Sequence, residues 1–461
     1  MTLSALIKPS TQLAPPRNSP MWRPDFTWGV ATAAYQIEGA TRADGRLPSI
    51  WDTYCATPGK VLNGDTGDMA CDHYRRWASD VDLISDLGVD AYRLSIAWPR
   101  VIGLDGQLNH QGVDFYRRLL DRLADLGVQR YVTLYHWDLP QHLEDRGGWL
   151  NRDTAYRFAD YADKISRALQ GRVTAWSTLN EPWCSAYLGY SHGRHAPGLR
   201  QPRYAPQAMH HLLLGHGLAQ PALKANDPGA QRSIVVNIGR GMPEDPNSAA
   251  DRDAAHLFEV QQNAWVLDAL LEGRYPDELF RLWPGTEPLV LEGDMALISQ
   301  PLDHLGINYY HRSTLRSDGA HGFVEVCRPG VERSQMGWEV APEAFTELLV
   351  GFRQRYANLP PIVITENGLA SADMVVDGAI EDRQRVIYLQ RHFAAVHDAM
   401  AAGVDVRGYF VWSLMDNFEW AYGYERRFGL VHVDYGTQER TLKRSAKGLQ
   451  AFLRERAAGI V

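Results

Sequence analysis

The sequence predicts an α/β chain folded as a single (β/α)8 barrel, with loop insertions at the C-terminal face of its strands. Three observations carry that prediction. Short apolar runs alternate with amphipathic stretches eight times along the 461 residues. The connections between successive apolar runs are too long for hairpins, which makes the strands parallel. No glycine-rich phosphate loop follows the first run, where Gly39-Ala40 stands in place of the fingerprint of an open nucleotide-binding sheet.

The elements follow from periodicity and stop signals. Trp28 to Gln36 reads as the first strand, and His73 to Leu87 as a helix that ends at Gly88, a residue at ease in the left-handed conformation that closes helices. Strand Ala91 to Trp98 precedes helix Gln111 to Leu126, and strand Arg130 to Trp137 precedes helix Asp153 to Leu169, with Gly127 and Gly171 as stops. Ala175 to Asn180 is the fourth strand, with helix Gln207 to Lys224; Ser233 to Ile238 is the fifth, with helix Ala249 to Leu271. Strands Asp303 to Tyr310, Ile362 to Thr365 and Val406 to Leu414 lead to helices Pro342 to Tyr356, Glu381 to Ala402 and Lys443 to Arg454. Residues 1–21 are expected to form a flexible Pro/Ser-rich tail and 22–461 the barrel, since no composition shift marks a second domain.

Composition narrows the function. An apolar fraction of 45% with 22% charged residues suits a globular protein with a large core. The net charge of −8 is interspersed, and without a basic run nucleic acid is a poor partner. No stretch has the apolar length to cross a bilayer, and the first twenty residues lack a signal core, so a cytoplasmic enzyme is expected. Cys55, Cys71, Cys184 and Cys327 lack metal spacing and are expected as buried free thiols, in keeping with a reducing compartment.

In a barrel of this kind chemistry sits at the C-terminal strand ends. Seven of the eight ends carry side chains suited to sugars: Tyr35-Gln36-Ile37-Glu38, Trp98-Pro99-Arg100, His136-Trp137-Asp138, Asn180-Glu181-Pro182, Asn308-Tyr309-Tyr310, Thr365-Glu366-Asn367 and Trp412-Ser413-Leu414. Carboxylates, amides and imidazoles match hydroxyl edges, and indoles match C–H faces. Glu181 and Glu366 stand 185 positions apart, each in a short motif after an apolar run. Two carboxylates delivered to one pocket are what acid-assisted cleavage of a sugar acetal needs. Taken singly, His136 also reads as a core histidine, Trp412 as packing and Glu419 as a solvated loop charge. A metal at His136-Trp137 is rejected because no second ligand stands at zinc spacing.

Longer motifs sharpen this reading: Trp28 to Gly39, Tyr92-Arg93-Leu94-Ser95-Ile96-Ala97-Trp98-Pro99-Arg100, His136-Trp137-Asp138-Leu139-Pro140, Thr178-Leu179-Asn180-Glu181-Pro182, Ile364-Thr365-Glu366-Asn367-Gly368 and Trp412 to Trp420. In these the chain resembles the β-glucosidases of glycoside hydrolase family 1, from about Phe26 to the last helix. The resemblance implies Glu366 as nucleophile and Glu181 as acid/base, with Arg93 and Tyr310 beside the nucleophile. It implies a glycone pocket of Gln36, His136, Asn180, Glu419 and Trp420 over the ring of Trp412, with Trp338 at the pocket mouth; Trp137, Asn308 and Phe428 complete the implied substrate-binding set. No metal or cofactor is implied.

The implied activity is retaining exo-hydrolysis of β-glucosides or cello-oligosaccharides, hence a part in cellulose breakdown, with some β-galactoside or β-fucoside turnover. Glu419-Trp420 argues for an unphosphorylated glycone, because a carboxylate repels phosphate. Transglycosylation by the same residues and a sugar-binding pseudoenzyme are the alternatives, and the intact glutamates speak against the second. The sequence carries no signal for oligomeric state.

Overall fold

The computed structural model describes residues 13–320, 322–376 and 378–459. Eight parallel strands form the core: β1 (Thr27–Ala31), β2 (Ala91–Ser95), β3 (Gln129–Tyr135), β4 (Ala175–Asn180), β5 (Gln231–Pro243), β6 (Leu305–Ser317), β7 (Ile362–Asn367) and β8 (Val406–Trp412). The order β5-β4-β3-β2-β1-β8-β7-β6 closes on itself through pairing of β5 with β6. Closure leaves the eight-stranded ladder without an edge and makes the expected (β/α)8 barrel. Helices α1 (His73–Leu87), α2 (His110–Asp125), α3 (Asp153–Ala168), α4 (Tyr204–Asn226), α5 (Ala249–Glu259), α6 (Pro342–Arg355), α7 (Arg383–Ala401) and α8 (Arg444–Ala457) each follow one strand.

Small residues and two rings fill the lower barrel. Ala31, Ala91, Ala175 and Val363 line the cluster around Tyr131 and Phe410, whose centroids lie 4.8 Å apart. Gly29 is obligatory there, because a Cβ at that position would come within 2.3 Å of the Phe410 ring. The polar layer that holds the site rests on this floor.

Several elements differ from the sequence reading. The first strand stops at Ala31, and Ala34–Ile37 is a helical turn that carries Gln36. A short apolar run fits either geometry, and periodicity alone does not separate them. The second strand likewise stops at Ser95; Trp98-Pro99-Arg100 begins a helical turn, with Trp98 stacked on Tyr161 of α3 at 5.0 Å and Arg100 paired with Glu38 at 2.8 Å. That strand end therefore belongs to the packing outside the barrel. The sixth strand, expected to end at Tyr310, continues to Ser317, because β5 runs on beside it to the pair Pro243↔Leu315.

The N-terminal expectation falls partly on residues outside those described. From Leu13 onward the chain lies against the body: Leu13 and Met21 are fully buried, and Trp28 donates Nε1–H to the Met21 carbonyl at 2.9 Å. Trp22 meets Phe452 of α8 edge-on at 4.7 Å. Residues 13–21 are thus packed, because burying two tryptophans and their N–H groups requires this strap.

Gly368 marks the tightest approach of two strand ends, since a Cβ there would lie 1.8 Å from the Trp412 carbonyl oxygen. Gly368→Ala is expected to destabilise the fold by about 3 kcal/mol, as overpacking against backbone does, read as a lower guanidinium midpoint. A midpoint equal to the parent's would show that β7 and β8 are not this close at the rim.

Candidate active site

Both glutamates are set by irregularities in their strands. On β7 the ladder with β6 passes from Ile307↔Ile364 to Asn308↔Glu366, so one extra residue is accommodated on β7. A bulge re-aims side chains, and here Thr365 and Glu366 both address the interior: Thr365 donates Oγ1–H to Asn308 Oδ1 at 2.7 Å, while Glu366 receives Arg93. On β4 the ladder with β5 passes from Ser177↔Ser233 to Asn180↔Val235, again with one extra residue. Glu181 follows at φ 48°, and Trp137 (φ 74°) and Trp420 (φ 51°) share this left-handed conformation. Such positions cost energy for residues with a Cβ and persist only where the surroundings enforce them.

One hydrogen-bond network joins the two carboxyl groups. Arg93, 1% exposed, donates Nη1–H to Glu366 Oε1 at 2.6 Å and Nη2–H to Asn180 Oδ1 at 2.7 Å. Tyr310 donates its hydroxyl to Glu366 Oε2 at 2.6 Å. Asn308 donates Nδ2–H both to Asn180 Oδ1 at 3.2 Å and to Glu181 Oε1 at 2.7 Å. Cys184 Sγ donates to Glu181 Oε2 at 3.0 Å. Every oxygen of the pair thus has one protein donor, and the donors to Glu366 are the stronger.

The electrostatics follow. Burial first, then the charge of Glu366, push the Glu181 carboxyl up to about 7, against the pull of Asn308, Cys184 and Arg93. Burial and the same two glutamates push Glu419 up to about 8. Tyr310 is raised well above its ordinary value by burial and by Glu366, so it stays a donor. Burial and the Arg93 charge hold His136 well below 6.5, so the ring is neutral. It accepts Asn180 Nδ2–H at Nε2 over 3.1 Å, which puts its proton on Nδ1.

The remaining expected residues gather around this centre. Gln36 donates Nε2–H to Asn417 Oδ1 (3.0 Å), the Phe418 carbonyl (2.9 Å) and Glu419 Oε2 (3.4 Å). Its Oε1 and the Nδ1 of His136 are buried without a protein partner among the described residues. The Trp412 ring is stacked 6.0 Å from His136 at 20°, and the Trp420 ring lies 6.0 Å from the same imidazole at 18°. Trp137 commits Nε1–H to the Asn180 carbonyl at 2.9 Å and packs on Trp420 at 4.6 Å, so it braces the pocket more than it offers polar atoms to it. Phe428 and Trp338 pack against Tyr310 at 5.9 and 5.4 Å.

Sequence reasoning left three participants without a role. Asn417 holds Gln36, and its place inside the run Trp412 to Trp420 was the available signal. His311 stacks on Trp338 at 4.9 Å, signalled by its position directly after Tyr310. Cys184 bonds Glu181; its place three residues after that glutamate pointed to a buried thiol near the pocket wall, but to no bond. Cys55, Cys71 and Cys184 are buried as expected, but Cys327 is exposed because it lies beyond the short strand Phe323–Glu325, outside the barrel.

Comparison with known proteins finds relatives along nearly the whole chain. The sequence model described as glycosyl hydrolase family 1 matches residues 19–457. A bifunctional β-D-glucosidase/β-D-fucosidase of Bifidobacterium breve is 46% identical over 94% of this chain and 98% of its own. A 1,4-β-D-glucan glucohydrolase of Thermotoga neapolitana is 41% identical over 91% of this chain and 95% of its own. The solved structure of a family 1 β-glucosidase from Thermotoga maritima superposes with a TM-score of 0.91 at 40% identity, covering 95% of this chain and 99% of that one.

If Glu366 supplies part of the upward push on Glu181, Glu366→Gln moves the Glu181 titration down from near 7, by about one unit for a like charge this close. Carbon-13 NMR of carboxyl-labelled glutamate reads the shift. A Glu181 titration that does not move would place the two carboxyls too far apart to interact.

Proposed function

The chain belongs to glycosyl hydrolase family 1, and from that premise we propose that it is a β-glucosidase, a retaining enzyme that removes terminal non-reducing β-D-glucosyl residues. Glu366 attacks the anomeric carbon while Glu181 gives its proton to the departing glycosidic oxygen, leaving a glucosyl ester on Glu366. With the charge of Glu366 gone, Glu181 ionises more readily; it takes a proton from water, the water attacks the anomeric carbon, and Glu366 departs as carboxylate.

The observation that carries this reading is the unequal donor sets of the two carboxyls. Glu366 accepts a bond from the Arg93 guanidinium and one from the Tyr310 hydroxyl, while burial beside the Glu366 charge keeps a proton on Glu181 up to about pH 7. One nucleophile and one acid result from two identical side chains.

The glycone side supports a neutral sugar. Gln36 Oε1 and His136 Nδ1–H offer an acceptor and a donor to ring hydroxyls, and Trp412 offers a face. Glu419 by itself does not repel a phosphate at pH 7, because a carboxyl pushed up to about 8 is largely neutral there. What disfavours a phosphorylated sugar is a pocket in which burial and the charge of Glu366 already push two carboxyls towards their neutral form, and which resists a further anion for the same reason. Cello-oligosaccharides are the proposed natural class, in keeping with a relative named for action on 1,4-β-D-glucan. Four free cysteines suit a reducing compartment, and a cytoplasmic place of action goes with it. Among the described residues no helix is long and apolar enough to cross a membrane.

Two variants test the roles. Glu366→Ala is expected to lower turnover of an aryl β-glucoside by roughly four to six orders of magnitude, and azide to restore it with an α-glucosyl azide as product. Glu181→Ala is expected to keep most activity on a dinitrophenyl glucoside and little on an alkyl glucoside, with azide giving the β-product. Exchange of the two azide stereochemistries would overturn the assignment.

A further inference from the structure

The acid/base has a neighbour that its chemistry does not yet use. We propose that the Cys184 thiol is a positioning residue for Glu181, holding one carboxylate oxygen by an S–H donor and favouring the ionised form. The proposal rests on the acid/base reading of Glu181.

The geometry is a two-point clasp. Cys184 opens the π-helical segment Cys184–His192, and its backbone N–H returns to the Glu181 carbonyl at 2.9 Å while its Sγ reaches Glu181 Oε2 at 3.0 Å. Asn308 occupies the other oxygen, Oε1, at 2.7 Å. Glu181 is held at φ 48°, and residue 184 fixes both its backbone turn and its carboxyl rotation. The tight helical turn closed by that bond brings the side chain three residues on back beneath the strand end, ahead of the π-helical segment. Both residues are 6% exposed, so no bulk water competes for the bond.

The charges around Glu181 give the thiol its sign. Glu366 and Glu419 face it as carboxyls, Arg93 as a cation and Tyr310 as a neutral hydroxyl held protonated. Burial and the charge of Glu181 also push the Cys184 thiol well above its ordinary value, so it is an S–H donor and never a competing thiolate. A donor to the carboxylate lowers the affinity of Glu181 for its proton. It makes Glu181 a better acid for the leaving group and eases its ionisation in the second step.

Profiles of kcat/KM against pH test this on an alkyl and a dinitrophenyl β-glucoside. Cys184→Ala is expected to move the basic limb up by about half a pH unit, the share of a weak donor in a bond to a charged group. Its kcat is expected to fall several-fold on the alkyl substrate and little on the dinitrophenyl one, with KM nearly unchanged. Cys184→Ser, a stronger donor of similar size, is expected to move the limb down and decides the matter alone if the alanine variant does not fold. A limb that stays in place or moves oppositely in either folded variant overturns the proposal. Glu181→Gln, run beside them, separates the two claims. If its basic limb near pH 7 persists, the acid/base reading itself fails. If that limb is lost while neither Cys184 variant shifts its own, only the role of the thiol fails.

Discussion

One guanidinium buried in the middle of the barrel constrains the whole site. Arg93 is 1% exposed, and a charge so placed must be paired and hydrogen-bonded or it destabilises the fold. Its partners are Glu366 and Asn180, which stand on β7 and β4. Asn180 passes the constraint to His136 and, through Asn308, to Glu181. The cation on β2 therefore orders side chains from β4, β6 and β7 in one layer. That layer rests on the Tyr131 and Phe410 rings, which fit only because alanine and glycine line the strands around them. Removing the charge would leave Glu366 without its cation and Asn180 without its strongest donor.

Irregular backbone converts this scaffold into a reactive site. A perfect parallel ladder alternates side chains between the interior and the helices, so neighbouring residues cannot both point inward. The extra residues break that alternation at Thr365 on β7, directly before Glu366, and between Ser177 and Asn180 on β4, upstream of Glu181. The left-handed residues Trp137, Glu181 and Trp420 lie beside the same pocket. The rest of the barrel, with its closed ladder and continuous core, holds these positions against relaxation. Stability and reactivity thus sit in different parts of the same sheet.

Much of this was legible in the chain. Helix His73–Leu87 and strand Ala175–Asn180 match their expected bounds because a capping glycine and a β-branched, aromatic run are local signals. The first two strands were read too long, since Tyr35, Gln36 and Trp98 continue an apolar run while the backbone has already turned helical. Trp98-Pro99-Arg100 matched a sugar-suited strand end in composition, yet its arginine serves Glu38. The site residues were legible through motifs, but their division of labour was not. Whether Trp137 binds or braces depends on where its indole N–H ends up. Whether Glu419 is charged depends first on its burial and then on two carboxyls far away in sequence. The bond of the Cys184 thiol was hidden for the same reason, because it exists only through the tight helical turn that follows Glu181.

The central claim is that Glu181 and Glu366 face one pyranose and that Glu366 is the atom-bonding partner. The most direct measurement is mass spectrometry of the protein after reaction with 2,4-dinitrophenyl 2-deoxy-2-fluoro-β-glucoside, whose fluorine slows release of the ester more than its formation. The account predicts a burst of dinitrophenolate matching the enzyme present, and a fluoroglucosyl group on the peptide containing Glu366. A label on any other residue, or turnover with no covalent adduct, would contradict it.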